Sequence, residues 1–587
     1  MERNGDDSIR DAVGGQEPVL RSSLFLDHVG EVILCLNSDG LSWKLVQSSD
    51  TDRNICFRIK LGPPDAADVK FSDIYAVELI DQGVVHRSNP SSPARCLLGP
   101  EWQMHRFIVH AVQRSKSQPS LWTAAMYNFG HKDPQTCQMW VDRINASLSR
   151  EMEDRPKNLL IFVHPMSGKG NGCQTWETVA PIFSRANVQT KVIVTERAGH
   201  AFDVMRTTTD EELRQYDGVL AVGGDGFFNE ILNGFLSTRL KAAYPPAPAD
   251  FVQSVGGYND FSVDEPVADT SSHDEDDSPL IPNNALGIST LRAEGDSSYT
   301  DGDLKFLVPN ERFRLGIIPA GSTDAIVICT TGARDPITSA LHIVLGKRVG
   351  LDIGQIVRWR ITSTSKVEPC ARYAASFAGY GFYGDVITES EKYRWMGPKR
   401  YDYSGTKVFM RHRSYEAEIA CLEIKAQEGT IPSEGQKKCR RVICRVDCKI
   451  CNAKTAGDPN VRGREANWLR SKGRYLSVGA AIMANRNERA PDGLVADAHL
   501  GDGFLHLILI KDCPRALYLL HLLQLAKKDG NPLNFEFVEH HKTRAFTFKS
   551  SGNSSIWNLD GEPFPAHQLS AQVFRRLVSL FASGPLV

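Results

Sequence analysis

The stretch Gly218-Val-Leu-Ala-Val-Gly-Gly-Asp225-Gly-Phe-Phe-Asn-Glu230 decides the fold. Its first half is a short apolar run with no polar residue, the pattern of a strand buried on both faces. Glycines follow at once, and the run from Asp225 opens a helix. The same sequence of strand, glycine loop and helix recurs on both sides. Upstream, Leu159–Val163 runs into His164-Pro-Met-Ser167-Gly-Lys-Gly-Asn171-Gly172, and Val192–Thr195 reads as another strand. Downstream, Leu315–Pro319 runs into Ala320-Gly321-Ser322-Thr323-Asp324. Strands alternating with helices predict an α/β domain with an open, mostly parallel sheet. Ligands of such sheets sit at the carboxyl ends of the strands, where all these glycine loops fall.

Each loop has a chemical reading. Glycines in the first let successive N–H groups turn toward one anion, and a following helix adds its positive end. It is not a Walker A loop, because Gly168-Lys169 precedes Gly170 rather than Ser or Thr. In the second loop a carboxylate stands among three glycines. Beside a triphosphate, Asp225 would hold Mg²⁺ or take the proton of an attacking hydroxyl. The competing reading makes Asp225 a helix cap. The third loop sets another carboxylate, Asp324, at the same sheet edge.

The flanks predict a multidomain chain. At 587 residues it exceeds one core. Residues 1–20 read as a disordered leader. Residues 21–152 hold short strands closed by an amphipathic helix, Asp133–Ser149, with Trp140, Ile144 and Leu148 on one face. That order resembles a pleckstrin-homology domain, with an unrelated small β domain as the alternative. Asp154-Arg155-Pro156 reads as a linker. The α/β domain spans 156–345, interrupted at 241–312 by an acidic, Ser- and Pro-rich insertion expected to be disordered. Residues 346–550 read as a β-rich, mainly antiparallel domain, and 551–587 as a C-terminal segment.

Hydrophobic residues make up 41% and charged residues 24%, with net charge −2. That is ordinary for globular chains and offers no basic face for nucleic acid. No secretory signal or run of 18 apolar residues appears, so a cytoplasmic, peripheral protein is expected. Thirteen irregular cysteines read as reduced thiols.

In this order the three loops resemble the catalytic domain of the diacylglycerol kinase and sphingosine kinase superfamily, from about Asn158 to the C-terminus apart from the insertion. Within it the chain is most similar to the ceramide kinases. Gly321-Ser322-Thr323-Asp324 has their form, and Cys444, Cys448 and Cys451 reproduce their C-x₃-C-x₂-C signature. The resemblance implies transfer of the ATP γ-phosphate to the primary hydroxyl of a ceramide-like lipid at a membrane surface. ATP and Mg²⁺ are the implied cofactors, with calcium dependence a further expectation. Ser167, Gly168, Lys169, Gly170 and Asn171, with Gly223, Gly224 and Gly226, would cradle phosphates. Gly321 and Ser322 would join them. Thr195 and Glu230 match nucleotide-facing positions, and Asp225 the base or metal partner. Arg394 and Arg400 match phosphate-binding arginines. Asp560 and Glu562 belong to a motif that returns to the nucleotide. Asp324 and Asp385 would bind lipid hydroxyls. Sphingosine kinases carry an acid two residues after Asp385, near a cationic amine. Ile387 stands here, which suits a neutral amide. The rivals are a kinase for diacylglycerol or a sphingoid base, a nicotinamide-nucleotide enzyme of related fold, and a non-catalytic lipid-binding scaffold.

Two motifs stay open. The cysteine triplet would hold zinc with a fourth ligand such as His412 or Cys421, or is a set of reduced thiols in a basic loop. Leu517–Leu525 followed by Lys527-Lys528 reads as core in preference to a basic amphipathic helix for calmodulin or membrane.

Overall fold

The structure, a computed structural model, describes residues 20–46, 66–85, 102–248, 305–361, 367–424, 448, 450, 467–551 and 555–585. The predicted leader, most of the insertion, Cys444 and Cys451 lie outside the described residues. Two compact units emerge. One takes in most of the chain up to Arg155, and the other runs essentially from Pro156 to the C-terminus.

The first unit is an antiparallel sheet of seven strands closed by a helix. The strands are β1 (Leu20–Leu26), β2 (Gly30–Leu36), β3 (Gly40–Leu45), β4 (Ala66–Lys70), β5 (Ile74–Val85), β6 (Trp102–Arg114) and β7 (Trp122–His131). They run in the order β4-β3-β2-β1-β7-β6-β5. Helix α1 (Pro134–Leu148) starts where Asp133 accepts the N–H groups of Gln135 and Thr136 and where a proline takes the first turn. Its Trp140, Ile144 and Leu148 are buried with Phe107 and Phe129, as the helical spacing predicts. The expected linker residue Arg155 is no free tether. It is buried, and its guanidinium donates to the carbonyls of Ile74 (2.7 Å) and Phe71 (3.2 Å).

The second unit holds one 15-stranded mixed sheet. Four strands are parallel in the order β9-β8-β10-β11. They are β8 (Asn158–Val163), β9 (Gln189–Val194), β10 (Gly218–Gly223) and β11 (Arg314–Pro319). Three helices follow their loops: α2 (Gly172–Arg185), α3 (Asp225–Arg239) and α4 (Ala325–Thr331). The ends of the predicted insertion are ordered, because Leu240–Lys241 pairs antiparallel with Lys305–Phe306. The β-rich region is antiparallel as expected. It comprises β12 (Val349–Ile361), β13 (Val367–Ala374), β14 (Phe377–Gly381), β15 (Tyr415–Leu422), β16 (Trp468–Ala481), β17 (Leu505–Lys511), β18 (Val538–Thr543), β19 (Ala545–Ser551), β20 (Trp557–Leu559), β21 (Glu562–Phe564) and β22 (Gln568–Leu580). The C-terminal β22 joins the two regions. It is parallel to β11 at Leu315↔Leu580 and antiparallel to β12 and β19. Three further helices flank this sheet: α5 (Phe382–Glu391), α6 (Lys399–Arg411) and α7 (Arg515–Ala526).

Candidate active site

The three glycine loops meet at the carboxyl ends of β8, β10 and β11. Their contact is backbone against backbone. A methyl group on Gly321 would stand 2.5 Å from the Cα of Gly224 and 2.6 Å from an Asp324 oxygen. Gly168, at φ +67, brings its Cα face to the carbonyl of Ala320, where a Cβ would stand at 2.6 Å. Only glycine permits either approach. Helix α3 starts from the second loop and α4 from the third, so the positive ends of both helices lie at this junction.

Asp225 is the first residue of α3, whose own cap, Gly224, offers no side chain. Its carboxylate instead reaches across to the next helix. The N–H of Ala325 donates to Oδ2 at 2.7 Å and that of Ile326 to Oδ1 at 3.0 Å. The cap reading is thus realised, on a helix other than its own. Desolvation and the nearby charge of Asp324 push the Asp225 carboxyl up to about 7, against the pull of the two N–H groups. That value suits a group that gains and loses a proton at neutral pH.

Asp324 is buried in a left-handed conformation (φ 51). Gly321 N–H donates to its Oδ1 at 3.1 Å, and Arg334 Nε to its Oδ2 at 2.8 Å. Burial raises its carboxyl, with Arg334 opposing. The same guanidinium donates to the Gly321 carbonyl at 2.6 Å and to Glu488 at 2.8 Å. Arg334 was missed in the sequence, where it sits between a helix end and Asp335-Pro336 with no motif around it. Both Asp324 oxygens are engaged, so this acid ties the third loop to Arg334.

Asp560 is similarly enclosed. It accepts from the N–H groups of Ala375 (2.6 Å), Ser376 (2.9 Å) and Phe377 (2.8 Å), from Ser376 Oγ (2.6 Å) and from Asn229 Nδ2 (2.8 Å). The C-terminal motif thus returns to the glycine-loop helix, as expected, but Asp560 clamps residues 375–377 to α3 rather than facing a ligand. Glu562 follows on β21, half-buried. Glu230 is buried and accepts the Phe202 N–H at 3.1 Å, capping the helix His200–Thr207. Desolvation pushes it up to about 8. Thr195 is buried at the end of β9, its N–H on the Val163 carbonyl at 2.9 Å. Ser167 begins a short helix, Ser167–Gly170, which contains Gly168 and Lys169 and ends at Asn171.

Arg394 and Arg400 converge on Glu391. Arg394 Nε donates to it at 2.6 Å, and Arg400 Nη1 lies 3.5 Å away. One path links this pair to the glycine loops. Arg489 donates to Asp402 of α6 at 2.5 Å, while its neighbour Glu488 holds Arg334. Asp385 lies on α5, accepting from Tyr415 Oη and Ser555 Oγ, both at 2.5 Å. It lines a pocket with Phe382, Phe409, His412 and Tyr518. Ile387 is buried on the same helix.

Of the two residues named as a fourth zinc ligand, His412 has its Nε2 2.8 Å from the Cys513 carbonyl, and Cys421 is buried in β15. The residue that meets Cys448 is His499, with Sγ to Nε2 at 3.3 Å. Among the described residues no group of three or more His, Cys, Asp or Glu is arranged to hold a metal ion.

Comparison with known proteins agrees with this geometry. Residues 20–144 match the ceramide kinase PH domain, 158–265 the diacylglycerol kinase catalytic domain, and 376–584 the ceramide kinase C-terminal domain. The chain is 55% identical to a ceramide kinase of Arabidopsis thaliana, covering 97% of each. The chain belongs to the ceramide kinase family. Two other ceramide kinases are similar along most of their length. That of Oryza sativa subsp. japonica is 49% identical, covering 96% of this chain and 99% of that one, and that of Homo sapiens is 31% identical over 89% of each. Membership of the ceramide kinase family identifies the N-terminal sheet and helix as a pleckstrin-homology domain, and the match over 158–265 puts the first two glycine loops within a kinase catalytic domain. No helix among the described residues is long and apolar enough to cross a membrane.

Proposed function

We propose that this chain transfers the γ-phosphate of ATP to the primary hydroxyl of ceramide, giving ceramide 1-phosphate. The observation that carries the reading is Asp225. It stands where three glycine loops and two helix N-termini meet, its carboxyl raised to about 7. The loop N–H groups and helix ends bind phosphate oxygens. Asp225 takes the proton of the attacking hydroxyl. Arg394 and Arg400 exchange Glu391 for nucleotide phosphate, a task suited to a permanent, forked charge. Asp324 and Asp560 keep the loops in register, so much of the rate comes from positioning.

The metal is read as Mg²⁺, which neutralises phosphate charge when bound. Asp225, with Asp324 and Asp560 near enough to act on its charge, offers carboxylate oxygen of the kind a hard cation takes, and it is the residue that would hold the metal. The lipid enters by the pocket at Asp385, where Asp385, Tyr415 and Ser555 offer hydrogen bonds to hydroxyl and amide. Ile387, two residues on along α5, brings no charge to that helix, which favours ceramide over a sphingoid base. Steady-state kinetics test this division of labour. Asp385→Asn raises KM for ceramide several-fold and leaves KM for ATP unchanged. An effect confined to ATP would remove Asp385 from the lipid site.

A further inference from the structure

Helix α7 reads Arg-Ala-Leu-Tyr-Leu-Leu-His-Leu-Leu-Gln-Leu-Ala. A helix apolar all round belongs in a core, and the sequence was read that way. The structure covers one side only. Tyr518 and His521 are buried, their rings stacked at 5.8 Å. Tyr518 also stacks on Phe409 of α6 at 6.1 Å and meets Phe382 of α5 edge-on at 5.5 Å. On the other side Leu517, Leu519, Leu520 and Leu523 are 40%, 45%, 50% and 56% exposed. At about 100° per residue these four leucines span roughly 160° of the helix, facing away from Tyr518. An apolar face of that width left to water marks a binding surface.

We propose that the leucine face of α7 docks on a lipid bilayer and brings the Asp385 pocket, on the other side of the helix, close to its surface. The occupant follows from three observations, the first resting on the proposed activity. A ceramide carries two hydrocarbon chains and resides in a bilayer, so its hydroxyl has to be collected at a membrane surface. Second, the opposite side of the same helix supplies Tyr518 to the wall shared with Asp385, so docking the leucine face leaves that pocket one helix away from the bilayer. Third, the helix is flanked by exposed cations, Arg515 at its start and Lys527 and Lys528 just past its end. Such side chains reach lipid headgroups while apolar neighbours insert. Asp512 and Asp529 lie beside them, so attraction is mainly apolar and weakly dependent on salt. Exposed apolar side chains also occur on α6 and the turn before it, where Met410 is 59% and Trp395 82% exposed.

The test uses the full chain and phosphatidylcholine vesicles, with and without phosphatidylserine, in the absence of ATP and ceramide. That readout is independent of the kinase reading, so failure of either leaves the other standing. In Leu520→Trp, brominated phosphatidylcholine quenches the added fluorescence. In the variant combining Leu519→Glu, Leu520→Glu and Leu523→Glu, vesicle partitioning falls about tenfold or more. Activity on vesicle-borne ceramide falls in parallel, while activity on water-dispersed short-chain ceramide is kept. Three results overturn the proposal. One is no added quenching in Leu520→Trp. Another is equal loss of activity on both substrate forms, which would make the leucines structural. The last is binding of calmodulin through this face with vesicle partitioning unchanged in the triple variant.

Discussion

Asp225→Asn separates chemistry from folding, and pH separates the two most clearly. The carboxyl is raised from 3.8 to about 7 in the folded chain, chiefly by desolvation. A raised acid binds a proton more tightly folded than unfolded. Its contribution to stability is greatest below the unfolded value and falls as pH climbs through the folded one. Between pH 5 and pH 8 the wild type therefore loses roughly 2–3 kcal/mol at this group. Asparagine does not titrate, so its stability there is flat. It keeps one acceptor for Ala325 or Ile326 and turns an N–H₂ group toward the other N–H, costing about 1–3 kcal/mol. Urea midpoints should show the variant weaker than wild type at pH 5 and level with it or stronger at pH 8. Turnover should fall about 10²–10⁴-fold, the scale of a lost general base. In the wild type, kcat/KM should rise with pH up to about 7 and then level off. A stability difference independent of pH, or near-normal turnover, would refute the assignment of Asp225.

Three further substitutions probe the supports. Arg334→Met removes the partner of buried Asp324 and should cost about 1–3 kcal/mol in urea unfolding and most of the activity. Arg334→Lys should restore stability better than rate, because the hold on the Gly321 carbonyl needs the fork. Asp560→Asn leaves several of its donors unmatched and should cost about 2–4 kcal/mol, with kcat per folded molecule reduced far less than by Asp225→Asn. Glu230→Gln imitates the protonated acid that burial favours up to about pH 8. Its melting temperature should match wild type at pH 6.5 and exceed it at pH 9, where the native carboxylate is ionised at a cost.

Strands β8, β10 and β11 were legible because they are buried almost throughout and read as apolar runs, whereas the edge strand β9 is mostly exposed and only its apolar end was legible. The glycine loops were legible because Gly321 and Gly224 touch through their backbones, a contact no other residue allows. What chain-local reading missed is long-range. Asp560 pairs with Asn229 and residues 375–377, nearly two hundred positions or more away in sequence, and nothing around it signals five donors. Arg334 acts through loop closure with Asp324 and Glu488. The α7 leucines were assigned to core because an all-apolar helix normally lies there, and periodicity cannot tell a core from a membrane when both are apolar. Nothing in the sequence ties Cys448 to a particular partner, and it is folding that brings His499 to it.

The most direct test of the central claim is transfer of label from γ-labelled ATP with Mg²⁺. Ceramide, sphingosine and diacylglycerol are offered separately in mixed micelles, with Asp225→Asn as the blank. The account predicts label mainly on ceramide, at its primary hydroxyl, and none above background with the variant. Label mainly on either other lipid, or equal labelling by the variant, would contradict it.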